Sequence, residues 1–263
     1  MITKRVLIVL NDLDNMDIVL KRGFEEASLD ASIEVLYVYE KEHYSLKDLF
    51  FSDDDNSLLD KEQIKKEIKE AINRLNVTKD VAIFVYAEDT EDRVATLLGD
   101  DKDAKVVIGY HNEITIRVLK EINVEALVVK GENSYDNAGV LINSKDFECI
   151  NRAKERHKNV KLMYDYRYIA DSALIDPSLS MDYEMSEELE EIELKVFNEL
   201  KADTNLDGEF FINGVGELEI DEYINANEIG IVYVCENFKD IIGIDFIFRD
   251  ILNNTKADIC VCV

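Results

Sequence analysis

Short apolar runs alternate with amphipathic segments along the first half of the chain. The runs are rich in valine and isoleucine, which is typical of strands buried on both faces of a sheet. They predict strands at residues 4–10, 32–40, 81–88, 105–110 and 124–131. Apolar residues at helical spacing predict helices at residues 15–28, 60–76, 90–101 and 114–122. This alternation predicts an α/β fold in which a parallel sheet has helices on both faces.

The same order of elements begins again after residue 138. Strands are predicted at residues 139–143, 160–168, 208–214, 229–235 and 257–263. Helices are predicted at residues 145–157, 186–201, 218–227 and 244–254. The sequence therefore predicts two domains, residues 1–131 and 138–263, which repeat one unit of roughly 130 residues. Each domain would have its own five-stranded parallel sheet and its own core.

The charge of the chain limits its partners. Its 263 residues include 57 acidic and 30 basic side chains, a net charge of -27. A nucleic-acid partner or an anionic membrane surface would require a basic surface, so neither is expected. No apolar run approaches the roughly 20 residues of a membrane-spanning helix, and the apolar run at 4–10 is too short for a signal peptide. We expect a cytoplasmic protein.

The cysteines and histidines form no recognisable metal or redox motif. The cysteines lack the C-x-x-C spacing of zinc and thioredoxin-like sites, and the histidines lie far apart. These residues are Cys149, Cys235, Cys260, Cys262, His43, His111 and His157. Cys260 and Cys262 alternate with valines, which predicts that both face the core from one side of the last strand. We expect reduced thiols, no bound metal and no cofactor.

The pattern of elements resembles the universal stress protein family. The shared features are five parallel strands, a long segment between the second strand and the second helix, and the tandem repeat. The resemblance covers nearly the whole chain and implies a flavodoxin-like, Rossmann-like sheet in each half. Family members that bind ATP have an aspartate just after strand one. They also have G-x-x-G, nine residues, then G-S or G-T after strand four.

The chain departs from this motif in both halves. Asn11 and Asn143 stand at the aspartate position. After Gly109, the loop positions of the first half hold Asn112, Ile122 and Asn123, and those of the second half hold Cys235, Phe238, Phe248 and Arg249. Glycines at these positions let backbone N–H groups approach phosphate oxygens without a Cβ in the way. We therefore expect no ATP binding at the family's glycine loop.

We interpret the chain as a universal-stress-like protein that acts in the stress response by binding a small ligand or a protein partner. One alternative is a nucleotide-binding member, for ATP or AMP, whose phosphate contacts come from other groups. Another is an enzyme on the same scaffold, since a fold does not fix a function. The sequence lacks G-x-S-x-G, a Walker loop and G-x-G-x-x-G after a strand, so we expect binding rather than catalysis.

The order of elements also predicts where a ligand would bind. Ligands of doubly wound sheets bind beyond the carboxyl ends of the strands, near the point where the strand order reverses. This rule selects Asn11, Asp12, Tyr39 and Gly109 in the first half and Asn143, Ser144, Cys235 and Glu236 in the second. We predict one crevice in each half from these residues and no catalytic residue.

One loop carries part of a calcium-binding pattern. Asp203, Asn205, Asp207 and Gly208 match four positions of an EF-hand loop, but Gly214 stands where the bidentate glutamate is needed. Asparagine, aspartate and glycine also end helices and form turns. The sequence leaves open whether this loop binds a cation.

The fifth strand of each half is apolar along its length. Residues 124–130 and 257–263 have no lysine or proline along the middle to protect an exposed edge. Many members of the resembled family dimerise through this edge, and in a tandem chain one half can cover the other. This predicts an intramolecular pseudo-dimer with Val128 and Val261 near the contact. A homodimer would cover the same edges.

Overall fold

The structure is a computed structural model that describes most of the chain. The described residues are 3–39, 61–143, 147–166, 183–212, 215–235, 239–240, 243–244 and 251–262. The predicted site residues Ser144 and Glu236 lie outside them, as do Phe238, Phe248 and Arg249 of the second glycine-loop position. The chain divides into two compact units, one up to Glu132 and one from Asn133 to Cys262.

The first unit alternates strands and helices without interruption. Its elements are β1 (Arg5–Leu10), α1 (Met16–Glu26), β2 (Ser32–Val38), α2 (Lys61–Arg74), β3 (Val81–Tyr86), α3 (Thr90–Leu98), β4 (Ala104–Gly109), α4 (Asn112–Glu121) and β5 (Glu125–Val129). Helix α2 shows why the pattern works, because Ile64, Ile68 and Ile72 form a stripe at helical spacing and all three are buried.

The strands of the first unit form a parallel sheet in the order β3-β2-β1-β4-β5. The chain builds outward from β1 to β3 and then crosses to the other side of β1 for β4. The strand order therefore reverses between β1 and β4, which leaves a crevice at the carboxyl ends of these two strands. Helix α1 contacts both strands there and packs against α2, while α3 packs against α4.

The second unit repeats this order with a longer second helix. Its elements are β6 (Asn137–Ile142), α5 (Phe147–Arg156), β7 (Asn159–Tyr166), α6 (Tyr183–Thr204), β8 (Asp207–Ile212), α7 (Ile220–Ala226), β9 (Ile231–Val234), β10 (Lys239–Asp240), β11 (Gly243–Ile244) and β12 (Asp258–Val261). The parallel strands are ordered β8-β7-β6-β9-β12, so the reversal lies between β6 and β9.

The core of each unit lies along its central strands. Every residue from Val6 to Leu10 in β1 and from Ala138 to Ile142 in β6 is buried, as expected for strands covered on both faces. The outermost strands β3 and β8 are only partly buried. The predicted fold class, two α/β units with five-stranded parallel sheets, is confirmed.

The helix predicted at residues 244–254 is wrong at its start. Gly243 and Ile244 form β11, which pairs antiparallel with β10, and the described helical residues are 251–254. Ile244 pairs with Lys239 in this hairpin, and a β-branched side chain such as that of isoleucine favours a strand over a helix. Among the described residues, no helix combines the length and the apolar character needed to cross a membrane.

Candidate functional site

The candidate site lies in the first unit, where β1, β4 and β5 end. After β1, the Asp12 carboxylate accepts a hydrogen bond from the Asn15 backbone N–H at 3.2 Å. This contact closes the turn that leads into α1 at Met16. The turn is why α1 starts directly beside the carboxyl end of β1.

Gly109 ends β4 and faces α1 from the other side of the crevice. A Cβ added at this position would lie 3.1 Å from the Val19 Cγ2 atom, which is tighter than an ordinary contact. The next residue, Tyr110, donates its backbone N–H to the Val129 carbonyl at 2.8 Å and so continues the pairing of β4 with β5. Without a side chain at Gly109, α1 packs closely against the end of β4, and room remains beside this contact at the strand ends.

A cavity of about 160 Å³ occupies this room. Its lining residues are Leu10, Asn11, Asp12, Asn15, Met16, Ile18, Val19, Gly109, Tyr110, Val129, Lys130 and Gly131. The buried members of this set are all apolar, and the polar ones are partly exposed. The cavity thus combines an apolar interior with a polar rim, as small-molecule sites do.

The Asn11 side chain is held in one orientation. Its Nδ2 atom donates a hydrogen bond at 2.9 Å to the Thr90 hydroxyl, which is fully buried at the start of α3. Its Oδ1 atom is buried and has no hydrogen-bond partner within the described residues. An unsatisfied buried acceptor costs about 1–3 kcal/mol. A bound molecule that donates a hydrogen bond to the Asn11 Oδ1 atom would remove this cost.

The rim of the cavity carries both signs of charge and one aromatic ring. The Lys130 ammonium lies 4.7 Å from the centre of the Tyr110 ring, within the range of a cation–π contact. Partial burial raises the pKa of the Tyr110 hydroxyl above its usual value, and the nearby Glu113 carboxylate raises it further. Tyr110 is therefore a neutral phenol at physiological pH.

The segment after β4 folds directly into a helix. Helix α4 begins at Asn112, three residues after Gly109, and Asn112 itself has a left-handed φ of 39°. The His111 backbone N–H donates a hydrogen bond to the Thr115 hydroxyl at 2.7 Å, and the Ile114 N–H donates to the His111 carbonyl. These backbone donors are therefore already used within the turn.

The second unit places different side chains at the equivalent positions. Lys105 of β4 pairs with the second residue of the central strand β1, and Ile231 of β9 pairs with the second residue of the central strand β6. Gly109 and Cys235 each lie four residues further along, so they correspond. The registers with the fifth strands make Val129 correspond to Cys262. The buried residues of the first helix have the same spacing in both units, namely Val19, Leu20 and Gly23 in α1 and Cys149, Ile150 and Ala153 in α5, so Val19 corresponds to Cys149.

Three of the predicted site residues come together in the first unit, namely Asn11, Asp12 and Gly109. Tyr39 follows β2, on the side of β1 away from β4. Its N–H donates to the Tyr86 carbonyl, its side chain is 40% exposed, and it is not a lining residue.

In the second unit, Asn143 is half-buried after β6 and Cys235 is buried after β9.

Sequence reasoning missed several lining residues. Lys130 and Gly131 follow β5, so the rule about carboxyl ends could have selected them. Tyr110 could have been found in the same way, since it follows β4. The hydrogen bond that Asn11 donates to Thr90 had no such signal in the sequence, because the two residues are 79 positions apart.

The EF-hand-like loop of the second unit is a turn held by lysines. The Asp207 carboxylate lies 3.2 Å from the Lys201 ammonium and 3.6 Å from that of Lys161. Asn205 has a left-handed φ of 54°, as expected where a helix ends. Within the described ranges, no group of three or more histidine, cysteine or acidic side chains is arranged to hold a metal ion.

Solved structures share this architecture. A protein of unknown function from Pseudomonas aeruginosa PAO1 matches with a TM-score of 0.64 and 10% identity, over 99% of this chain and 92% of that one. A provisionally assigned universal stress protein from Pseudomonas aeruginosa UCBPP-PA14 matches with a TM-score of 0.61 and 11% identity, over 99% and 93%. A universal stress protein from Archaeoglobus fulgidus DSM 4304 matches with a TM-score of 0.56 and 12% identity, over 99% of this chain and 96% of that one. The chain has the universal stress protein fold.

The resemblance inferred from the pattern of elements is thereby confirmed at the level of the fold. No family model matches the sequence, and none of the curated proteins matches it. At identities of 10% to 12%, what the crevice binds has to be argued from its own residues.

Proposed function

We propose that this chain is a universal-stress-like protein that acts in the stress response by binding, and that the crevice of the first unit is its ligand site. The observation that carries the proposal is the cavity at the reversal between β1 and β4, with its apolar interior and polar rim. Such a position is the usual binding site in doubly wound sheets. The oriented amide of Asn11 supports the same reading, since fixed polar groups give ligand sites their specificity.

We propose further that the ligand is not ATP held at the family's glycine loop. The cavity of about 160 Å³ is smaller than the roughly 300–1,000 Å³ of pockets that hold drug-sized molecules. Helix α4 occupies the segment in which the loop would lie, and Ile122 ends that helix. The acidic side chains of Asp12 and Glu113 near the entrance would also repel a triphosphate. A compact ligand fits these constraints better.

The first experiment tests the ligand itself. The full chain is purified under native conditions and examined by native mass spectrometry, followed by denaturation and identification of any released molecule. We expect a compact molecule without a triphosphate. Release of ATP or AMP would instead establish the nucleotide-binding alternative.

The second experiment tests ATP directly by thermal unfolding with one millimolar Mg-ATP. A site with a Kd near ten micromolar would add about 2.7 kcal/mol of stability at that concentration, which is a shift of several degrees. We expect no shift. A clear rise in Tm would contradict the proposal and support phosphate contacts from other groups.

A matched pair of variants assigns the ligand to the first unit. Asn11→Ala removes the oriented amide from the cavity, whereas Asn143→Ala changes the equivalent residue after β6. We expect the first variant to lose the co-purified ligand and the second to keep it. Equal retention by both would show that Asn11 has no part in binding.

The remaining parts of the proposal follow from the resemblance. These are a cytoplasmic location, a protein partner and an intramolecular pseudo-dimer. An enzyme on this scaffold remains the competing hypothesis, and turnover of the released molecule by the purified chain would establish it.

A further inference from the structure

All four cysteines of the chain converge at one place in the second unit. They come from α5, from the end of β9 and from β12 with the residue after it, and all are buried and reduced. The cluster comprises Cys149, Cys235, Cys260 and Cys262. Three of them occupy positions whose equivalents line the cavity of the first unit. Binding in the first unit gives no reason for this set of thiols.

Two of these thiols lie unusually close together. The Cys149 and Cys262 Sγ atoms are 3.1 Å apart. A disulfide bond measures about 2.05 Å, so a movement of roughly one ångström would bring the atoms to bonding distance. Cys149 also hydrogen-bonds Cys235, which holds its thiol on the side facing the other cysteines.

We propose that Cys149 and Cys262 are an oxidation site that forms a reversible disulfide with hydrogen peroxide or a related hydroperoxide. Among the described residues, these thiols are not arranged to hold a metal ion. A covalent pair therefore explains the geometry better than a metal centre does. The proposal does not depend on a ligand in the first unit.

The chemistry proceeds in two balanced steps. One thiol of the pair loses its proton, and its sulfur attacks one oxygen of hydrogen peroxide. The O–O bond breaks, and the proton leaves with the departing hydroxide as water, which gives a sulfenic acid. The sulfur of the other thiol then attacks the sulfenic sulfur, the S–S bond forms as the S–O bond breaks, and the hydroxide leaves with the second thiol's proton as another water. In total two thiols and one peroxide give one disulfide and two waters.

The surroundings of the two thiols do not set which of them reacts first. Cys262 follows the end of β12 and is 5% exposed, and Cys149 is 1% exposed within α5. The pKa of Cys149 is raised by its hydrogen bond to Cys235, lowered by its hydrogen bond to Cys262 and raised further by burial. The resulting disulfide is the same whichever sulfur is oxidised first.

The test uses the full folded chain, fully reduced and freed of reductant. It is exposed to hydrogen peroxide, alkylated after denaturation, and analysed by intact mass and by digestion without reduction. We expect the mass to fall by two hydrogens and the alkylatable thiols to fall from four to two. The digest should contain one linked peptide pair joining Cys149 to Cys262, and dithiothreitol should restore all four thiols.

Two variants sharpen the assignment. Cys149→Val should abolish the disulfide, and valine suits this position because its equivalent in the first unit is Val19. Cys260→Ser is the matched control and should still form the disulfide. The mapping of the unsubstituted chain decides the question even if a variant folds poorly.

Three results would overturn the proposal. One is four alkylated thiols after peroxide treatment of the folded chain. Another is a linkage to Cys235, to Cys260 or between two chains. The third is addition of oxygen to a cysteine without any S–S bond.

Discussion

The crevice of the first unit and the equivalent region of the second unit share a backbone plan and differ in side chains. In both, the strand order reverses beside the central strand, and a helix follows that strand closely. In the first unit the positions at the strand ends leave a cavity of about 160 Å³. In the second unit the same positions hold thiols. The equivalent pairs are Val19 and Cys149, Gly109 and Cys235, and Val129 and Cys262.

This difference teaches that a repeated fold can present different side chains at one place. The β–α order fixes where strand ends meet, and three side chains there differ, with thiols in the second unit at positions whose equivalents line the cavity of the first. Gly109 and Cys235 show the effect most directly. One position has no side chain at all, and the other adds a buried thiol.

The amino ends of the strands show a second difference. In the first unit the buried Lys105 ammonium lies 2.6 Å from the Glu26 carboxylate and also pairs with Glu125. The residue of the second unit that corresponds to Glu125 is Asp258, by the same register. Asp258 is fully buried, and it accepts hydrogen bonds from the Tyr135 hydroxyl at 2.6 Å and the Asn133 amide at 2.8 Å. The first unit thus uses an ion pair where the second uses neutral donors.

The largest expected effect comes from a charge placed in the fifth strand of either unit. Val128 of β5 and Val261 of β12 are equivalent, and both are buried. Val128→Asp and Val261→Asp should each lower stability by about 5 kcal/mol, because a buried carboxylate without a partner is costly. Urea unfolding measures the loss, and hydrogen exchange should rise mainly in β4 and β5 for the first variant and in β9 and β12 for the second.

The control for this pair is Lys66→Asp, at a side chain that is 68% exposed on α2. It should change stability by less than about 0.5 kcal/mol. If Val261→Asp behaved like this control, β12 would not be a core strand, and the equivalence of the two units would fail there.

Removal of the buried ammonium is the next largest effect and affects the first unit. Lys105→Ala should cost about 3 kcal/mol, because it removes a buried ammonium that pairs with the carboxylates of Glu26 and Glu125. Lys102→Ala, at an exposed position nearby, is the matched control and should be nearly neutral. A loss of similar size in both variants by urea unfolding would mean that the ion pair contributes nothing particular.

The sequence predicted the repeated backbone well because that prediction needs only local information. Period-two and helical patterns locate strands and helices, and their order predicts where a crevice opens. The alternation around Cys260 and Cys262 likewise predicted that both are buried, and this is confirmed.

The meeting of distant residues could not be predicted in this way. Cys149 and Cys262 are 113 positions apart, and their distance depends on where α5 packs against the end of β12. The orientation of Asn11 depends in the same way on Thr90, which a different helix supplies. Such contacts follow from tertiary packing, and no local pattern in one sequence encodes them.

A smaller effect is expected from a methyl group added inside the first crevice. Gly109→Ala would place a Cβ 3.1 Å from Val19, so the helix must yield by a few tenths of an ångström. We expect a loss of about 1 kcal/mol by urea unfolding, together with a narrower cavity. Gly131→Ala is the matched control, since Gly131 lines the same cavity and an added Cβ meets nothing within 4 Å. Equal stability of the two variants would show that Gly109 is not needed for close packing.

The smallest expected effect concerns Asp207, a charged residue on the outermost strand β8 of the second unit. The equivalent residue of the first unit is Ala82 of β3, which carries no charge. The pKa of Asp207 is lowered, first by the hydrogen bond from the Gly208 N–H and then by Lys201. A lowered pKa in the folded state stabilises the fold above the unfolded value of about 3.9, and this stability is lost as the pH falls through the folded value.

The carboxylate is 75% exposed, so Asp207→Asn should cost less than about 1 kcal/mol at pH 7. The difference from the unsubstituted chain should shrink in acid, as measured by urea unfolding across the pH range. Asp203→Asn, at an exposed residue of the same loop, is the matched control at pH 7 and should be nearly neutral. A difference that stayed constant from pH 7 into acid would mean that the contacts of the Asp207 carboxylate do not stabilise this edge.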